Sequence, residues 1–162
     1  TNKKLYLKWE IFMKKIVKSL NLKSKRKIAI VASPYYKFIY ENLLKGALDE
    51  LSIHSIDSDI VNVSGALEIP TAINLLKGNY LGFIALGCVI RGETSHYDIV
   101  ANNSAYGISK LGLQGVCIGN GILTVDSIEQ AIERSDPKIK NKGRDAVMAL
   151  TSLLYIKQEY SI

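Results

Sequence analysis

Apolar residues fall along this chain in two rhythms that take turns. Short, nearly unbroken apolar runs stand at Lys27–Ala32 (KIAIVA), Phe83–Ile90 (FIALGCVI) and Val116–Gly119 (VCIG). Runs of this length, bounded by Gly, Pro or Ser, suit strands buried on both faces, as in parallel sheets. A more polar segment near Ile56–Val63 reads as a further strand. Between these runs the apolar positions switch to helical spacing. Ile39, Leu43, Leu44, Ala47, Leu48 and Leu51 form one broad face. Glu68 to about Leu76 forms a second helix, with Pro70 near its first turn, where a missing N–H costs little. Further helices run from Ser95 to about Leu111, over Ser127–Arg134, and beyond Gly143, where Ala146, Ala149, Leu150, Leu153 and Leu154 recur. Asn120-Gly121 reads as a turn, a bulge or an extended exit from the fourth strand. Strands alternating with helices predict an α/β domain over residues 27–162, with a four-stranded parallel sheet flanked by helices on both faces.

Residues 1–26 lie outside that rhythm. Leu5, Trp9, Phe12, Met13, Ile16 and Leu20 fall at helical spacing, with Lys8, Lys14, Lys15 and Lys18 around the turn. The expectation is a basic helical arm docked on its own domain or on a neighbour, although such a helix can also lie on an anionic membrane. Translation from Met13 would place the upstream residues outside the natural protein. The chain carries a net charge of +6 over 162 residues, much of it in this arm. The remainder is nearer balance; nucleic-acid binding by the basic arm is a weaker reading with no known motif behind it, so no nucleic-acid partner is predicted. No apolar run is long enough to span a bilayer, and no secretory signal core is present. Two cysteines, Cys88 and Cys117, are too few for a disulfide framework, and a reducing, cytoplasmic setting is expected. His54 and His96 share no ligand spacing, so no metal site is predicted. Gly119-Asn120-Gly121 lacks a third glycine and a following helix, which argues against a dinucleotide loop.

In parallel sheets ligands bind beyond the carboxyl ends of the strands. Four segments lie there: Pro34–Tyr36, Ser64–Glu68, Cys88–His96 and Asn120–Thr124. The richest in chemistry is LGCVIRGETSHYD, Leu86–Asp98. Ser95 with Asp98 reads as a capping box, which places His96 in the first helical turn. The helix dipole there favours neutral imidazole, able to take or give a proton. The Thr94 hydroxyl and the first-turn N–H groups are ready to hold an anion. Each residue also has a plainer reading. His96 fits a solvated helix start, Tyr35 ordinary packing, Glu68 a first-turn carboxylate, Arg134 a surface residue near a helix end, and Cys88 an inert buried thiol.

Three stretches together resemble the lumazine synthase family: GA-x-EIP at Gly65–Pro70, GCVIRGETSHYD at Gly87–Asp98, and GILTVDSIEQAIERSDPKIKNKG at Gly121–Gly143. The resemblance runs from about Lys27 to the last helix. It implies a flavodoxin-like three-layer sandwich and a homo-oligomer, a pentamer or multiples of it, with active sites between neighbouring subunits. It implies condensation of 5-amino-6-(D-ribitylamino)uracil with 3,4-dihydroxy-2-butanone 4-phosphate, without a cofactor, in riboflavin biosynthesis. Riboflavin synthase becomes a candidate partner. By the resemblance, Tyr35 stacks on the pyrimidine, Ala66, Leu67 and Glu68 line the ribityl chain, and Cys88, Val89 and Ile90 read the ring edge. Glu93 and Thr94 cradle phosphate, Arg134 binds it, His96 transfers protons, and Lys142 lies near the site. Several positions depart from the family pattern: Tyr36 for a usual Asn, Pro34 for Arg, Leu67 for an aromatic, Ser64 for Pro, and Asn120 for an aromatic over the substrate ring. Those departures leave a second reading open, a flavodoxin-like protein that binds a flavin or lumazine without turnover.

Overall fold

The computed structural model describes residues 2–19 and 27–160, the side chains of 2–6, 9, 13, 17 and 19 excepted. A basic helix, α1 (Asn2–Ser19), precedes the alternating series β1 (Ile28–Ala32), α2 (Lys37–Ile53), β2 (Ser58–Asn62), α3 (Glu68–Leu76), β3 (Gly82–Ile90), α4 (His96–Leu113), β4 (Ile118–Val125), α5 (Ile128–Ser135) and α6 (Lys142–Tyr160). The strands form one parallel sheet in the order β2-β1-β3-β4.

Two cores result, one on each face, because successive strand residues point to opposite sides. Ile28, Ile30, Ala32, Ile84, Leu86, Leu123 and Val125 pack with residues of α2, α5 and α6. Ala29, Val31, Phe83, Ala85 and Ile118 pack with Ile69 and Ile73 of α3 and Ile108 and Leu111 of α4. Such two-sided burial is why β1 and β3 read as continuous apolar runs. β2 is an edge strand, and its partly exposed pattern matches its polar sequence. Asp59 on that edge accepts from Lys27 Nζ at 3.1 Å and from Tyr80 Oη at 3.2 Å.

β4 differs from the sequence expectation. It runs from Ile118 to Val125 in register with Phe83–Ile90, so Asn120-Gly121 lies within the strand. The two glycines serve packing. A Cβ at Gly119 would overlap the Ala146 carbonyl of α6. One at Gly121 would come within 2.8 Å of Leu86 Cδ2 and 3.1 Å of Ala146 Cβ. α6 therefore sits directly on the β4 backbone.

In α1 the expected docking on the domain is present, with Ile16 buried against the first core. Lys8, Lys14, Lys15 and Lys18 are exposed, and so is Phe12, which the periodicity had placed on the apolar face. The Leu5, Trp9 and Met13 side chains and Leu20 lie outside the described residues. Among the described residues no helix is long and apolar enough to cross a membrane.

Candidate functional site

β3 outruns β1, and that mismatch makes the site. The register pairs Ala32 with Leu86. Ser33 N–H then donates to Leu86 O at 2.9 Å, and the chain turns away into α2. Residues 87–90 of β3 keep β4 on one side but have no β1 partner on the other. Strand order also reverses here, since β2 lies on one side of β1 and β3 on the other. Such switch points are where open α/β sheets leave room for ligands. A cleft of ≈ 430 Å³ occupies the notch.

Tyr35 and Tyr36 enter the cleft from the β1–α2 connection, and Gly65–Glu68 from the β2–α3 connection. Cys88, Val89 and Ile90 supply the wall that β1 leaves uncovered. Gly92, Thr94, His96, Tyr97 and Val100 close the far side from the β3–α4 connection and the start of α4. The predicted residues Tyr35, Ala66, Leu67, Glu68, Cys88, Val89, Ile90, Thr94 and His96 thus share one cavity. Tyr36, Gly65, Gly92, Tyr97 and Val100 line it too and were not among the predicted site residues. Val100 stands four residues after His96, so helical spacing could have placed it on the same side.

The walls are chemically distinct. Tyr35 is 74% exposed, and its ring meets the Tyr36 ring edge-on, with centroids 5.0 Å apart at 71°. Tyr36 packs against the first core. Glu68, the first residue of α3, brings a carboxylate to an otherwise apolar wall. Burial pushes the Cys88 thiol up to about 12, so it stays protonated at neutral pH. A protonated thiol is a poor nucleophile, and Cys88 serves as wall rather than reagent.

Arg91 ties the far side together. Its Nε donates to Asp126 Oδ1 at 3.0 Å and its Nη1 to Asp98 Oδ1 at 3.3 Å. Its guanidinium carbon lies 4.1 Å from the centroid of the Tyr97 ring. The end of β4, the first turn of α4 and a cleft-lining aromatic are joined through one side chain. The expected capping box does not form, and this network is part of the reason. Asp98 is engaged by Arg91, and Ser95 is itself helical (φ −68°, ψ −1°), with no side-chain cap hydrogen bond. His96 N–H instead donates to Thr94 Oγ1 at 3.3 Å, and Asp98 N–H to Ser95 O at 3.1 Å. The Thr94 oxygen therefore already accepts one first-turn N–H, which leaves a smaller anion cradle than expected.

Four predicted residues stand outside this cleft in a single protomer. Glu93 lies exposed in the same loop without lining the cavity. Asn120 is exposed on β4, its Oδ1 accepting from Ile122 N–H at 3.0 Å. It is not beyond a strand end as expected, because the strand continues through it. Arg134, near the end of α5, donates through Nη1 to Gln130 O at 3.2 Å and Glu133 Oε2 at 3.3 Å. Lys142 opens α6 and donates to Asp145 Oδ2 at 2.7 Å. Both cations remain partly exposed.

Residues 25–158 match the model of the family described as 6,7-dimethyl-8-ribityllumazine synthase. Curated relatives carry the same name. One from Jannaschia sp. is 46% identical over 136 residues, covering 83% of this chain and 76% of the relative. One from Zymomonas mobilis is 44% identical over 137 residues, covering 83% and 99%. One from Bartonella tribocorum is 43% identical over 143 residues, covering 86% and 95%. With a four-stranded parallel sheet and residues of two of the three motif stretches gathered at its switch point, the chain belongs to the 6,7-dimethyl-8-ribityllumazine synthase family.

Proposed function

We propose that the cleft is one half of the active site of a working lumazine synthase, the other half coming from a neighbouring copy of the chain. A ribitylamino-uracil stacks its ring on Tyr35 and lays its ribityl hydroxyls along Ala66, Leu67 and Glu68. The uncovered edge of β3 at Cys88, Val89 and Ile90 offers backbone groups to the pyrimidine. The butanone phosphate sits beside Thr94 and Glu93. His96 shuttles protons as the diamine forms an imine with the ketone and expels a first water, phosphate leaves, and the second amine closes the ring with loss of a second water. Arg134 of the neighbouring copy grips the phosphate, for which its fork of donors is better suited than an ammonium. Lys142 and Asn120 of that copy border the same space.

One observation carries the reading. An open aromatic ring, a carboxylate and an imidazole at a helix start meet in a single cleft of suitable size, in a chain whose family is defined by this chemistry. Held together, two small reactants need little else, since orientation alone can be worth about 7–11 kcal/mol. The exposed stripe Ile99, Tyr106 and Leu113 on α4, at seven-residue spacing, supports self-association, a pentamer or a multiple of one. Cytoplasmic residence fits both the substrates and two cysteines that are free.

The test is direct: purified protein with both substrates yields a fluorescent lumazine and free phosphate. Failure to exceed the uncatalysed background would end the reading. A flavin or lumazine co-purifying with a catalytically silent protein would replace it with that of a carrier.

A further inference from the structure

Tyr35 presents a difficulty as a binding platform. Its ring is 74% exposed, and an exposed side chain changes rotamer within nanoseconds. A ring that turns freely would seldom offer its flat face to a ligand. Its neighbour is held more firmly. Tyr36 is the N-cap of α2, its backbone oxygen accepts Tyr40 N–H at 2.9 Å, and its side chain packs against the core beneath α2. The Tyr36 ring meets that of Tyr35 edge-on, centroids 5.0 Å apart and planes at 71°, and both residues line the cleft. Edge-to-face pairs prefer this arrangement because the positive rim of one ring meets the negative face of the other.

We propose that Tyr36 is a positioning residue that holds the Tyr35 ring in the plane on which a flat heterocycle stacks. The proposal rests on the assignment of the cleft to a heterocyclic substrate and names the residue that sets affinity for it. Contact is between rings, so the hydroxyl is dispensable and the aromatic ring is not. In the proposed placement the phosphate-bearing substrate lies beside Thr94 and Glu93 rather than on Tyr35, so its binding should be independent of Tyr36.

Steady-state kinetics of the full chain with Tyr36→Ala and Tyr36→Phe test this. The expected result for Tyr36→Ala is a KM for the ribitylamino-uracil raised about 3- to 10-fold. Its kcat and its KM for the butanone phosphate should change less than about twofold, and Tyr36→Phe should restore the wild-type KM. Equal rises in both KM values, or a Tyr36→Phe variant as impaired as Tyr36→Ala, would overturn the proposal in favour of a general packing role. A Tyr36→Ala variant with unchanged KM would also overturn it. A second measurement, quenching of riboflavin fluorescence on titration with protein, reads the platform without turnover. If wild type turns nothing over yet binds riboflavin, and Tyr36→Ala binds 3- to 10-fold more weakly while Tyr36→Phe does not, the reaction is wrong and the positioning role stands. Equal riboflavin affinity in all three proteins, or none in wild type, would remove the role whatever the kinetics show.

Discussion

Cys88 and His96 line the same cleft with opposite prospects. Burial holds the Cys88 thiol near 12, and Cys117 is raised for the same reason. The folded chain therefore keeps protons that the unfolded chain releases from about pH 8.5 upward. Stability should fall as pH rises through that window, and Cys88→Ala should flatten the decline; a slope unchanged by the substitution would remove Cys88 as its source. At pH 8, iodoacetamide should modify Cys88 in the native protein about a thousandfold more slowly than in urea, as read by peptide mass spectrometry. A native rate within tenfold of the unfolded rate would show the thiol to be far less shielded. For His96, replacement by Ala should lower kcat by roughly tenfold, near or below the low end for general acid–base groups, because positioning supplies most of the rate. A loss beyond about a thousandfold would make proton transfer, not juxtaposition, the dominant effect.

At the scale of elements, what the sequence disclosed and what it hid follow from local physics. β1 and β3 were legible because both faces of each strand are covered, which leaves an apolar run without alternation. The edge strand β2 was faint because it is partly exposed. β4 was cut short because Asn120-Gly121 looks like a turn. The missing side chains of Gly119 and Gly121 instead admit α6, a contact between elements that no local pattern announces. The motif LGCVIRGETSHYD was placed correctly at the strand-to-helix junction. Its cap was misread, because Ser95 is already helical and the Arg91 network that engages Asp98 depends on Asp126, just past the end of β4. The glycine argument has a direct check by urea denaturation. Gly119→Ala should cost about 1–3 kcal/mol through overpacking against the α6 backbone. Gly112→Ala, in α4 with open space around it, should gain about 0.5 kcal/mol from helix propensity. Equal effects at the two positions would contradict this account of β4.

The whole molecule raises the question that one protomer leaves open. The cleft collects the residues assigned to the heterocycle, to the proton and in part to the phosphate, whereas Arg134 and Lys142 stand elsewhere on the surface with carboxylate partners of their own. Sequence likeness named both groups, but it could not say that they occupy separate regions of one chain. On the proposed shared site, a closed ring of identical copies would bring the α5–α6 region of one protomer against the cleft of the next. Arg134→Ala should then raise KM for the butanone phosphate at least tenfold and barely change that for the uracil. Unchanged constants would end the arginine assignment.

Subunit complementation tests the shared site most directly. A chain with Glu68→Ala and His96→Ala loses the cleft half, and a chain with Arg134→Ala loses the other. If the site is shared, co-expression in equal amounts should return roughly a quarter of wild-type activity, because about one site in four then combines two intact halves. Mixed oligomers with no more activity than the average of the two separate variants would contradict a site built from two copies.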